Sequence, residues 1–156
     1  MKKIRNLLIG MVAAFGMIAP SASYADPVTI DEYAAVIETA NNYFNGLATG
    51  NQEMIAKAFD LEHGHLKYIT TDKETGEESV RVLLFKEFAK QFTELKTETW
   101  TGEIISVDIV DNHMAMVKMN FHTPRTHYID YLVMYKRKEG WRIISKTFVA
   151  HQKAKK

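Results

Sequence analysis

The stretch WTGEIISVDIVDNHMAMVKMNFHTPRTHYIDYLVMYKRKEGWRIISKTFVA, residues 100–150, decides the fold. It breaks into four runs rich in β-branched and aromatic residues: 100–110, 113–122, 127–137 and 141–150. Asp111-Asn112 separates the first two, and Glu139-Gly140 separates the last two. Each pair is a two-residue hairpin signal, because Asn, Asp and Gly tolerate the positive φ that such turns need. Thr123-Pro124-Arg125-Thr126 makes the loop between the hairpins. Four consecutive strands are therefore expected at the C-terminal end.

Working back from this stretch, helices and a further hairpin are expected. Thr29 and Glu32 are spaced as a capping box. Tyr33, Ile37, Ala40, Phe44 and Leu47 follow at steps of three and four, an amphipathic helix that Gly50 can end. Asn51 can cap a second, shorter helix carrying Ile55, Ala58 and Phe59. Strands at 65–71 and 77–83 flank a polar turn at 72–76, and Phe85, Phe88, Phe92 and Leu95 mark a third helix. The order ααββαββββ predicts an α+β domain with an antiparallel sheet covered by helices on one face.

Residues 1–25 have a different character. Lys2, Lys3 and Arg5 precede an apolar run of 13 residues from Leu7 to Ala19, too short to span a bilayer. Pro20 breaks the run, and Ser23-Tyr24-Ala25 supplies small residues at the −3 and −1 positions of a cleavage site. This is a signal peptide cut after Ala25, and it predicts export, in bacterial terms to the periplasm. One domain is then expected over 26–156, with no membrane span after signal removal. The whole chain carries a net charge of +1 from 20 basic and 19 acidic residues. The first 25 residues hold three of the bases and no acid, so the remainder has 17 against 19, or −2. Such a balance supplies no electrostatic drive toward nucleic acid. The absence of cysteine excludes disulfides, thiolate metal sites and a cysteine nucleophile.

In this order of elements the sequence resembles the nuclear transport factor 2-like superfamily, in which a curved sheet wraps around helices as a cone. Two stretches resemble its putative lumazine-binding branch, close to the SnoaL-like proteins. One is Tyr43-Phe44-Asn45-Gly46-Leu47 with Gly50-Asn51 and Ala58-Phe59. The other is Asp130-Tyr131-Leu132 with Gly140-Trp141-Arg142-Ile143-Ile144 and Lys146-Thr147-Phe148. The resemblance implies a cone pocket. It draws attention to Asp130 and Lys146, and to Tyr43, since a helix tyrosine supports an oxyanion hole in the steroid isomerase relatives. Tyr43 also reads as an amphipathic core residue beside the first helix's apolar stripe.

Strand register bears on the remaining candidates. A two-residue Asp111-Asn112 turn puts Val110 opposite His113 and Ile105 opposite Lys118. One face then carries Ile105, Val107, Ile109, Met114 and Met116, with Glu103, Lys118, Asn120 and His122 at its far end. The other carries Ile104, Val117, Met119 and Phe121. Both faces are apolar, so one packs on helices and the other needs cover; a homodimer would supply it. In the last hairpin, a two-residue loop sets Asp130 opposite Val149, with Lys146 on the other side of the sheet. A three-residue loop sets Asp130 opposite Phe148 and makes Lys146 its diagonal neighbour.

The functional expectation is an exported binding or accessory domain with an apolar cone pocket. It would hold a small, largely apolar or aromatic molecule, with Tyr43, Asn120, His122, Asp130 and Lys146 as polar contacts. The alternative is an isomerase- or dehydratase-like enzyme using His122 or Asp130 as general base. His63 and His65 share a strand face, but two ligands are too few for a structural zinc site, and no metal or cofactor is expected. No nucleophile elbow, phosphate loop or dinucleotide motif is present. Mass spectrometry of the periplasmic fraction should find a chain beginning at Asp26; a membrane-bound product retaining Met1 would overturn the export reading.

Overall fold

A computed structural model of the chain describes residues 27–96 and 99–154. The expected signal peptide, 1–25, lies outside the described residues. Helix α1 runs Ile30–Thr49, α2 Gln52–Ala58 and α3 Phe85–Ala89; the strands are β1 His65–Thr71, β2 Glu78–Leu84, β3 Thr101–Val110, β4 Met114–His122, β5 Thr126–Arg137 and β6 Gly140–Gln152. The order is the expected ααββαββββ.

The caps form where the sequence placed them. Thr29 Oγ1 accepts from the Glu32 backbone N–H, and Gly50, at φ 68°, ends α1. Asn51 Oδ1 takes the N–H groups of Glu53 and Met54 at the start of α2. The buried stripe of α1 is rotated from the expected one. Val36, Ala40, Tyr43 and Leu47 face inward, while Tyr33 and Ile37 are partly exposed. Gly46, on the same side, lets α2 pack close: a Cβ there would stand 2.9 Å from Ile55 Cγ1. The third helix is one short turn rather than a run to Leu95, which is exposed. After Ala89 the chain tightens into i→i+3 bonds at Gln91 and Phe92, and the Gln52 side-chain amide donates to the carbonyls of Ala89 and Phe92.

The six strands form one curved sheet in the order β2-β1-β6-β5-β4-β3. Neighbours are antiparallel except for β1 and β6, which pair in parallel over three residues, His65–Lys67 with Ser145–Thr147. The sheet is thus mixed rather than wholly antiparallel, because the β1–β2 hairpin extends the sheet beside β6. Ion pairs tie the helices to the β5–β6 hairpin. Glu32 binds Lys136 and accepts from Trp141 Nε1 at 2.9 Å, and Arg137 Nη1 donates to Asp60 Oδ2 at 2.8 Å.

Two hairpins depart from the expected register, and both departures move side chains between faces. Asp111 and Asn112 do take positive φ, 52° and 54°, and His113 N–H donates to Val110 C=O at 3.0 Å. Pairing, however, starts at Val110 opposite Met114, leaving His113 as an extra residue. A bulge at Ile105 on β3 cancels it, so Ile104 faces Met119. Between these two insertions β3 is flipped: Val107 and Ile109 point into the core instead of lying with Ile105 and Met116. In the last hairpin the loop is Lys138-Glu139, with Arg137 opposite Gly140, which takes φ 105°. A bulge at Ile144 then shifts the register so that Asp130 faces Phe148 and Leu132 faces Lys146. The longer-loop pairing is reached by a shorter loop and a bulge.

Candidate functional site

Three of the five candidate polar residues meet in the core. Tyr43 comes from α1 because it lies on the 36-40-43-47 stripe. Asp130 comes from β5, and Lys146 from β6, turned inward by the Ile144 bulge. Tyr43 Oη donates to Asp130 Oδ2 at 2.6 Å, and Lys146 Nζ donates to Tyr43 Oη at 2.9 Å. Lys146 Nζ also stands 3.1 Å from Asp130 Oδ2. Relative exposures are 1%, 0% and 5% for Tyr43, Asp130 and Lys146, so the ion pair is almost wholly buried. Asp130 Oδ1 is buried with no hydrogen-bond donor among the described residues.

The environment acts on the two cationic and phenolic groups in opposite senses. Burial pushes the Tyr43 hydroxyl well above its ordinary value, and the negative charge of Asp130 adds to this. Burial also lowers the Lys146 ammonium, while Asp130 opposes that by its charge and hydrogen bond. Aromatic faces replace part of the lost hydration. Lys146 Nζ lies 4.6 Å from the Phe148 ring centroid, 5.2 Å from Tyr43 and 5.8 Å from Phe88.

A cavity of ≈ 320 Å³ opens beside this trio, in the range of small-ligand pockets. Tyr43 and Lys146 line it; Asp130 sits behind them. Its walls are dominated by aromatic rings: Tyr68, Phe88, Phe92, Trp100, Phe121, Tyr128 and Phe148. The rings pack mostly edge to face, as in Phe92–Trp100 at 6.4 Å and Trp100–Phe121 at 5.2 Å. The sequence reading singled out none of these walls for a ligand role. The signal was present in the inward alternation of Tyr128, Asp130 and Leu132, but it depends on knowing which sheet face is concave.

Asn120 and His122 lie elsewhere. Met119 and Phe121 point into the core, so Asn120 and His122 point to the opposite, outer face. The expected β3 register, with Val107 and Ile109 on the same side, made that face look apolar. Outside, Asn120 Oδ1 is 3.2 Å from His127 Nε2, and the His122 and His127 rings stack at 4.2 Å. Burial, then the neighbouring His127, lowers the His122 pKa.

Residues 31–149 match the family described as "Putative lumazine-binding". The chain belongs to this family. Solved structures agree on the fold. An NTF2-like protein of unknown function from Shewanella baltica superposes with a TM-score of 0.65 at 15% identity, over 81% of this chain and 98% of that one. A second NTF2-like protein of unknown function, from Silicibacter pomeroyi, gives 0.63 at 20%, over 80% and 100%. A ketosteroid isomerase-like protein from Erwinia carotovora atroseptica gives 0.56 at 13%, over 78% and 98%. Among curated proteins none matches the sequence. The nuclear transport factor 2-like architecture is thus the fold of this lumazine-binding family member, and a ligand-binding pocket domain is the coarse function that its family supports.

The trio has a measurable energetic signature. Lys146→Met strands a buried carboxylate and should destabilise the domain by about 3–5 kcal/mol in urea unfolding. Adding Asp130→Asn should recover part of that loss, because the stranded charge is removed. Additive costs in the double variant would show that the two charges are not coupled.

Proposed function

We propose that this domain binds a small, largely apolar or aromatic molecule in the cavity beside Lys146. The observation that carries the reading is the cavity itself: aromatic walls with a few buried polar groups, the usual make-up of small-molecule sites. Among these groups are Lys146, Tyr43 and the indole N–H of Trp100, which has no hydrogen-bond partner among the described residues. Lumazine, the ligand that the family's description names, is planar and bicyclic, a shape suited to flat aromatic walls. The enzymatic alternative has less support. His122 lies on the outer face, and Asp130, the other base considered, is screened from the cavity by Tyr43 and Lys146. Isothermal calorimetry with lumazine and with unsubstituted bicyclic aromatics should give saturable binding at one site per chain. Leu83→Trp, which fills the cavity, should abolish it; binding unchanged in that variant would place the site elsewhere.

We also propose that the domain works outside the cytoplasm and pairs with a second copy of itself. The first 25 residues support export. Support for pairing comes from the outer sheet face, where Ile69, Val80, Val149, Met116, Tyr131 and Ile105 are between 39% and 66% exposed. They lie on neighbouring strands, an exposed apolar face of the kind that marks an interaction surface. Light scattering of the chain from Asp26 onward should give twice the monomer mass at micromolar concentration, and Tyr131→Glu with Val149→Lys should return it to the monomer. A monomeric parent protein would refute the pairing.

A further inference from the structure

A lysine lining an aromatic cavity ordinarily marks a site for an anion. Here the surroundings of that lysine point the other way. An ammonium group carries three N–H donors. One goes to Tyr43 Oη at 2.9 Å and one to Asp130 Oδ2 at 3.1 Å. The third has no hydrogen-bond acceptor among the described residues, and Lys146 lines the cavity. The Tyr43 hydroxyl is committed, since its proton goes to Asp130 and its oxygen accepts from Lys146. Thr123, another polar lining residue, is also engaged, with its hydroxyl bound to both the N–H and the C=O of Thr126. At this end of the cavity the trio therefore presents one strong donor.

The charge of that donor is already balanced. Asp130 is wholly buried, 3.1 Å from the ammonium, and it reaches no other cation among the described residues. Seen from the cavity, the pair is close to neutral overall. A ligand carboxylate would give up its hydration, gain Lys146, and stand within a few ångströms of a second buried carboxylate that has no further counter-charge. An uncharged oxygen acceptor gives up far less hydration and receives the same charge-assisted hydrogen bond.

We propose that the cavity selects an uncharged, planar, carbonyl-bearing ligand whose oxygen accepts from Lys146, and that it discriminates against anions of the same shape. The inference rests on the reading of the cavity as a ligand site and names the class of ligand that site takes. The walls hold the ring, the third Lys146 N–H fixes its orientation, and Asp130 sets the preference for neutrality.

Three bicyclic probes of similar outline test this: chromone, which carries a ring carbonyl; naphthalene, which has no acceptor; and 1-naphthoate, which is anionic. Chromone is expected to bind about tenfold tighter than naphthalene, the worth of one hydrogen bond to a charged donor. Naphthoate is expected to bind more weakly than chromone. Chromone labelled with ¹³C at the carbonyl should shift downfield on binding to the unaltered protein, a reading that needs no variant. Lys146→Met combined with Asp130→Asn should erase both the shift and the chromone preference. Tightest binding by naphthoate would show that the lysine charge is free, and would overturn the inference while leaving the cavity as a site. Equal binding of chromone and naphthalene with no carbonyl shift would overturn it too. Failure of all three probes to bind would instead remove the cavity reading on which the inference stands.

Discussion

The structure turns on two opposite charges buried in its core. Asp130 and Lys146 meet diagonally across neighbouring strands, and Tyr43 closes the triangle from the helix above. Moving two such groups out of water costs several kcal/mol each, and Coulomb attraction offsets that only with good geometry and further hydrogen bonds. The requirement is three-dimensional. The first helix must cross β5 and β6 at the height of Tyr43, and both strands must present these residues to the same side. Glu32, Lys136 and Trp141 anchor the start of that helix to the far end of the hairpin. Gly46 lets the second helix lie against the first. These contacts hold the helix at a fixed height and angle.

The same arrangement makes the cavity. Because the polar trio occupies the middle of the inner face, aromatic rings gather around it, where they cover the ammonium with their negative faces. The outer face follows different chemistry, with aliphatic side chains, methionines and a row of imidazoles across β4, β5 and β6.

Much of the fold was legible because its signals are local. Thr29, Asn51 and Gly50 cap where their side chains or their φ allow, and Asp111-Asn112 turns where an isolated hairpin would. What was not legible is a count rather than a composition. Neither Ile105 nor Ile144 differs from an ordinary strand residue, yet each is a bulge that changes which face its neighbours share. Asp130 and Lys146 came together as one of two registers considered, and Tyr43 joined them because the buried stripe of α1 runs through Val36, Ala40, Tyr43 and Leu47. Asn120 and His122 were misplaced relative to the cavity for another reason. The expected register of β3 put Val107 and Ile109 on the face of Asn120 and His122 and made that face look apolar; the bulge at Ile105 moves both to the other side. The short third helix ends on carbonyls bound by Gln52, 37 and 40 residues away, which no local pattern reveals.

The bulge at Ile144 gives the length of β6 a meaning that its letters do not carry. Strand side chains alternate with period two, so Ile143 and Lys146, three residues apart, share the inner face only because the bulge absorbs Ile144. If the same segment ran as a regular strand, the lysine and Phe148 would turn to the outer surface and leave Asp130 alone inside. A chain one residue shorter at this point would keep Lys146 inward with no bulge at all. The bulge is thus the device that reconciles the length of β6 with the placement of its lysine.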